Sequence, residues 1–292
     1  MRRSIMSLSL AALMLLIWPA TALAATQPRL GTATSFAVLA AAGITNSGTT
    51  TITGDVGTYP TPAETGFASV TILSGTNHAA DAVTQGARVD EVTAYNDLAN
   101  QTPCTVLSGG ALDGRNLVPG CYKFSSAAIL NVDNTLTLSG FGVYVFQIGS
   151  DLTIGNTTTV NLINGALACG VYWQVTGSAT IGTATPNFVG TLIAGSSISV
   201  NTNAVWTGRA LAGALAPSGA VTLLGNTITR PPALCSSLPT TGGTGGTVLP
   251  GNTGVPLELR GQFPWLLLIG IGAGLGATAM GISSRRRRRR NA

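Results

Sequence analysis

Charge is what this chain has least of. Only 15 of its 292 residues are Lys or Arg and 10 are Asp or Glu, 9% together, where an ordinary soluble domain carries about 25%. Lysine occurs once, at Lys123, and histidine once, at His78. Nine of the 15 basic residues lie at the ends: Arg2, Arg3, Arg260 and Arg285 to Arg290. Between Thr26 and Cys235 six basic and nine acidic residues remain, a net charge of −3. A nucleic-acid binder keeps its positive charge on the folded domain. No nucleic-acid partner is expected.

The same scarcity removes most chemistry. His78 has no G-x-S-x-G nucleophile motif beside it, and the glycine-rich stretches lack the Lys of a phosphate-binding loop. Cys104, Cys121, Cys169 and Cys235 include no C-x-x-C pair, so no metal site is expected. A glycan-cleaving enzyme wants paired carboxylates. Here Asp133 and Asp151 stand apart, with Lys123 and Arg209 as isolated partners, and turn formation explains both aspartates. The expectation is no catalytic residue and no cofactor.

The ends read as addresses. Residues 1–24 have the basic start, apolar run and Ala22-Leu23-Ala24 site of a secretory signal peptide. Residues 263–284 are apolar enough for one membrane helix, and the Arg-rich tail, 285–292, stays cytoplasmic by the positive-inside rule. The Gly/Thr/Pro-rich stretch 236–262 is a linker. Its Leu238-Pro239-Thr240-Thr241-Gly242 resembles the sorting signal of sortase-anchored surface proteins, which implies a sortase as partner. The 22 residues between Gly242 and Trp265 exceed that family's usual gap, and a near copy, Leu249-Pro250-Gly251-Asn252-Thr253-Gly254, lies closer. Sortase coupling and a retained membrane helix both stay open. Either way the exported domain, 25–235, is extracellular and anchored to the cell membrane or wall. An even cysteine count outside the cell implies disulfides. Three pairings of the four are possible; the favoured one joins Cys104 to Cys121, closing a short loop, and Cys169 to Cys235, tying the domain's last residue to its body.

What the exported domain does have is threonine, 33 of the 40 in the chain, set in a repeat. Leu152-Thr153-Ile154, Ala179-Thr180-Ile181, Ile198-Ser199-Val200 and Val221-Thr222-Leu223 recur at steps of 27, 19 and 23 residues, and Leu136-Thr137-Leu138 has the same form. Period-2 alternation means strand. A period near 20 with Gly and Asn corners means a β-solenoid, with a Thr-faced β-sandwich as the alternative. The aliphatics then point inward. Thr137, Thr153, Thr180, Ser199 and Thr222 point outward as a ladder, one per coil at about 4.7–4.9 Å. Ala79–Asn100 departs from this pattern. Its Ala80, Val83, Ala87, Ala94 and Leu98 fall at helical spacing, predicting an amphipathic helix along one face. Phe36–Thr58 reads as a coil capping the stack.

Several stretches together resemble the microbial ice-binding domain. They are Phe36-Ala37-Val38-Leu39-Ala40, Thr53-Gly54-Asp55-Val56-Gly57, Ala94-Tyr95-Asn96, Leu117-Val118-Pro119-Gly120-Cys121-Tyr122, Phe146-Gln147-Ile148-Gly149-Ser150, Val171-Tyr172-Trp173-Gln174-Val175, Gly208-Arg209-Ala210-Leu211-Ala212 and Gly219-Ala220-Val221-Thr222-Leu223. The resemblance spans about Leu30–Cys235. It implies a mostly β fold, a right-handed parallel β-solenoid of triangular section with one helix alongside, and a flat face that binds ice crystals. The Thr ladder is the expected face, widened by Thr157, Thr159, Thr183, Thr185 and Thr202. A surface adhesin or structural wall protein of the same fold is the other reading.

Overall fold

The structure is a computed structural model that describes residues 24–232 and residue 238. The signal segment before Ala24, Cys235, Pro239, Thr240, Thr241, Gly242, the rest of the linker, the 263–284 span and the 285–292 tail lie outside the described residues. Among the described residues no helix is long and apolar enough to cross a membrane.

The alternating triplets form strands because each puts two aliphatics on one side and a hydroxyl on the other. Leu152, Ile154, Ala179, Ile181, Ile198, Val200, Val221 and Leu223 are at most 1% exposed. Their strands pair in parallel, coil upon coil, and so build walls around an apolar interior. The narrow wall is a seven-stranded sheet, Ala128–Leu130, Leu152–Ile154, Ala179–Ile181, Ile198–Val200, Ala220–Leu224, Gly43–Ser47 and Glu64–Thr65 in spatial order. The covered wall contains Gly120–Phe124, Tyr144–Ile148, Val171–Val175 and Phe36–Ala40. The broad wall contains Thr135–Ser139, Thr159–Ile163, Thr227–Thr229, Thr50–Thr53 and Val70–Leu73.

Two long strands, Phe188–Ala194 and Val205–Ala212, run from the broad wall into the covered wall. Val205–Thr207 pair with Thr227–Thr229, whereas Ala210–Ala212 pair with Val38–Ala40. Gly190 sits at the passage with φ +104, and a Cβ there would meet the Val171 carbonyl oxygen at 2.7 Å. Only glycine serves that position. Inside the turn, the rings of Tyr122, Phe146, Trp173, Phe188 and Trp206 form a column with centroids 4.2–5.6 Å apart. The indole N–H groups of Trp173 and Trp206 donate to the carbonyls of Val189 and Gly190 at 2.8 and 2.9 Å, which removes the cost of burying them.

The stack does not follow the chain. The expected capping coil, Phe36–Thr58, lies inside it, paired on one side with the C-terminal coil and on the other with residues 63–79. That outermost coil supplies Glu64–Thr65, Val70–Leu73 and Asn77–Ala79.

The helix spans Ala82–Ala99 and is capped by Asp81, whose carboxylate accepts from Thr84 N at 2.8 Å. That bond, with His78 next, holds the Asp81 carboxyl down at about 2. Two residues of the expected apolar stripe fall away: Ala80 precedes the helix with φ +54, and Val83 is 44% exposed. Thr84, Ala87, Glu91, Ala94, Tyr95 and Leu98 are the buried face instead. Cys104 is joined to Cys121. Cys169 is also disulfide-bonded.

Candidate binding surface

The helix settles which walls face solvent. Beneath it, Tyr144–Ile148 and Val171–Val175 are buried at every position. Gln147 donates from Nε2 to the carbonyls of Leu98 and Gln101 at 2.8 and 3.0 Å, closing the helix's C-terminal end onto the wall. Arg209, 5% exposed, donates to Thr34 O at 3.1 and 3.0 Å and to Thr191 Oγ1 at 3.0 Å. Desolvation pulls its guanidinium down to about 10. On the helix, Arg88 bonds both Glu91 and the carbonyls of Ala212 and Gly213. Glu91 is fully buried, and burial pushes its carboxyl up to about 8 against the pull of Arg88. Its Oε1 has no hydrogen-bond partner. These ionisable groups are spent on holding helix to wall, and Arg209 is no partner for Asp133 or Asp151.

The narrow wall carries most of the expected ladder. Thr153, Thr180, Ser199 and Thr222 are register partners in consecutive coils. The ladder continues through Thr45 and Thr65, which sequence reasoning missed, and begins at Ile129 rather than Thr137. Thr137 belongs to the broad wall, paired with Asn116 and Asn161. Its Leu-Thr-Leu triplet belongs to the same coil as Ala128–Leu130, one wall further on. The triplets of the narrow wall at Leu152–Ile154, Ala179–Ile181 and Ile198–Val200 are buried at both ends, so each presents one central outward residue. At its edge Asp151 is exposed and accepts from Ser178 N at 2.7 Å.

The broad wall presents two. One ladder runs Thr135, Thr159 and Asn187, then Val205, Thr227, Thr51 and Thr71. The second runs Asn116, Thr137 and Asn161. It is interrupted at buried Val189, and resumes as Thr207, Thr229, Thr53 and Leu73. Between them Leu136, Val160, Trp206, Ile228 and Ile52 point inward and are at most 1% exposed. Neither ladder contains an ionisable side chain. The signal for it was the T-x-T pair at Thr51/Thr53, Thr135/Thr137 and Thr227/Thr229.

Thr157, Thr183 and Thr202 are exposed at the corner joining the two walls. Asp133, Thr157, Ala184 and Asn203 occupy left-handed backbone there, with φ of 61, 56, 51 and 58. Each donates its N–H to the next coil, at 2.8–3.1 Å. A further bond runs from Thr157 Oγ1 to Asp133, and Asn156 Oδ1 accepts from Thr183 N at 2.8 Å. Repeated strain of this kind persists only where neighbours fix it, and the corner is therefore rigid. Thr185, expected outside, is fully buried, with Oγ1 donating to Gly182 O at 2.8 Å. The chain turns at the corner, so strand alternation cannot be counted through it. Among the described residues no group of three or more His, Cys, Asp or Glu is placed to hold a metal ion.

The model of the ice-binding-like family matches residues 38–229. The ice-binding protein of Nostoc sp. (strain HG1) is 40% identical over 212 residues, covering 71% of this chain and 76% of its own. A crystal structure of an ice-binding protein from an Antarctic biological consortium is 40% identical, with a TM-score of 0.67, covering 74% of this chain and 96% of that one. The ice-binding protein of the Antarctic ascomycete Antarctomyces psychrotrophicus is 36% identical, with a TM-score of 0.65, over 71% of this chain and all of the other.

Proposed function

We propose that this chain, which belongs to the ice-binding-like family, adsorbs to ice through its broad wall. One observation carries the choice of wall: two uncharged, Thr-rich ladders side by side on stacked strands. Strand spacing sets one repeat of that grid at about 4.7–4.9 Å, and alternate residues along a strand set the other at about 6.4–6.8 Å. A Thr side chain there has little χ1 freedom, so its hydroxyl holds water at a fixed point while its methyl excludes it. Charged groups would impose their own hydration shells; this wall has none. Interior packing keeps it flat, and the rigid corner adds Thr183 and Thr202 at its rim. The coil is taken as right-handed, the hand of about 98% of parallel crossovers.

The narrow wall is the second reading, favoured by its unbroken ladder from Thr153 to Thr65. Two variants separate the readings. Thr227→Tyr places a ring in the broad grid between Val205 and Thr51, and Thr180→Tyr does so on the narrow ladder. Thermal hysteresis and ice-recrystallisation inhibition should be lost in the first and kept in the second. The reverse result moves the site to the narrow wall. An inactive parent domain that binds glycans would replace ice adsorption with the adhesin reading.

The protein is proposed to act outside the cell, tethered to the membrane or wall. Support comes from the order of signal segment, domain, linker, apolar run and arginines. Fractionation of the source cells tests it, since soluble cytoplasmic recovery would contradict display.

A further inference from the structure

One residue of the sorting-type sequence is part of the folded domain. Leu238 is 3% exposed and belongs to the outer apolar cluster with Ala25, Cys169 and Tyr172, on the helix-covered side. Its carbonyl accepts from Gln27 Nε2 at 3.2 Å, and Tyr172 donates its hydroxyl to Gln27 Oε1 at 3.1 Å. Gly170 makes the room: a Cβ there would come within 3.0 Å of Leu238 Cδ1. The seat thus ties the start of the exported domain to the first residues of the linker, 211 residues apart.

An enzyme that reads Leu-Pro-x-Thr-Gly must take the leucine side chain and the adjoining backbone into its own groove. The Leu238 side chain and carbonyl cannot occupy that groove and this seat together. We propose that the seat formed by Gln27, Gly170 and Tyr172 withholds Leu238 from an enzyme that reads the Leu238–Gly242 signal, so that folding of the domain itself restrains processing there. The inference rests on reading that pentapeptide as a sorting signal, and is independent of ice binding. The restrained step is transpeptidation. The enzyme's cysteine thiolate attacks the Thr241 carbonyl, the Thr241–Gly242 amide breaks, and Gly242 leaves as a protonated amine. An incoming glycine amine then attacks the thioester, forming a new amide and releasing the thiolate.

The test compares detergent-solubilised full chain with a synthetic peptide of residues 233–247. Each is given the same Leu-Pro-x-Thr-Gly transpeptidase and triglycine, and product at Thr241 is read by mass. Masking predicts the full chain to react at least ~10-fold more slowly than the peptide, because only the undocked fraction is competent. Gln27→Ala, which leaves the signal intact, should close much of that gap. Tyr172→Phe, which removes only the hydroxyl, should close less, and it serves if the first variant does not fold. Equal rates for chain and peptide overturn the masking. A peptide that is not cut overturns the sorting reading beneath it.

Discussion

The covered wall and the broad wall come from the same coils, yet they divide the molecule's work. Between the helix and its wall lie Arg209, Gln147 and the Arg88–Glu91 pair, each tied to backbone or to its pair partner. On the broad wall Thr51, Thr53, Thr227 and Thr229 are paired through their backbones, their side chains carry no charge, and their strands are held from within by Ile52 and Ile228. On the proposed function, helix-to-wall contacts that serve stability lie on one side and adsorption on the other. A solenoid permits this because inward residues of every strand already supply the core, leaving outward positions free.

The sharpest break of that comparison is Thr227→Tyr. Ice activity should be abolished while Tm moves by less than about 2 °C, since a surface change of this kind stays within about 0.5 kcal/mol. Thermal hysteresis and a melting curve on one sample check it. A large fall in Tm would show that the broad wall is structural after all.

The converse change is Arg209→Ala. It strands Thr34 O and Thr191 Oγ1 and opens a cavity, costing about 3 kcal/mol, or some 6–12 °C in Tm for a domain of this size. Activity per folded molecule should persist below the transition. Cys104→Ser with Cys121→Ser should cost a similar or smaller amount, about 3 kcal/mol for a closed loop of 17 residues. Unfolding in denaturant with an activity assay reads both.

These contrasts follow how the sequence encodes the fold. The triplets at Thr153, Thr180, Ser199 and Thr222 were legible because burial forces period 2, and the helix because Ala82–Ala99 breaks that period. Thr137 was misplaced because Leu-Thr-Leu looks the same on either wall, and nothing local states how many corners precede it. Thr45 and Thr65 were missed because Thr45 stacks beside Thr222 in space, with Thr65 next to it, while both lie far from residue 222 in the chain. Thr185 was misread because a left-handed residue at Ala184 resets the alternation. The broad wall as a surface was hidden for the same reason. Its strands come from several coils at unequal spacing, and two of them continue into the covered wall.

The smallest effect expected is in the pH dependence of stability, and it too belongs to the covered side. Burial raises the Glu91 carboxyl to about 8 in the folded domain, against about 4.3 in an unfolded chain. Between those values the folded state keeps a proton that the unfolded state has lost. Stability from this group is therefore greatest below about pH 4.3 and falls as pH rises toward 8. Above that, the carboxylate is charged and buried, relieved only in part by Arg88. Glu91→Gln keeps the shape and cannot ionise, so its Tm should be flatter than that of the parent between pH 5 and 8 and higher at pH 9. The broad wall has no titrating group in either ladder, so ice activity should be level over the same range in both proteins. Melting curves and hysteresis measured at matched ionic strength test both halves. Parallel pH profiles of Tm in the parent and the variant would mean that Arg88 holds the Glu91 carboxylate ionised throughout.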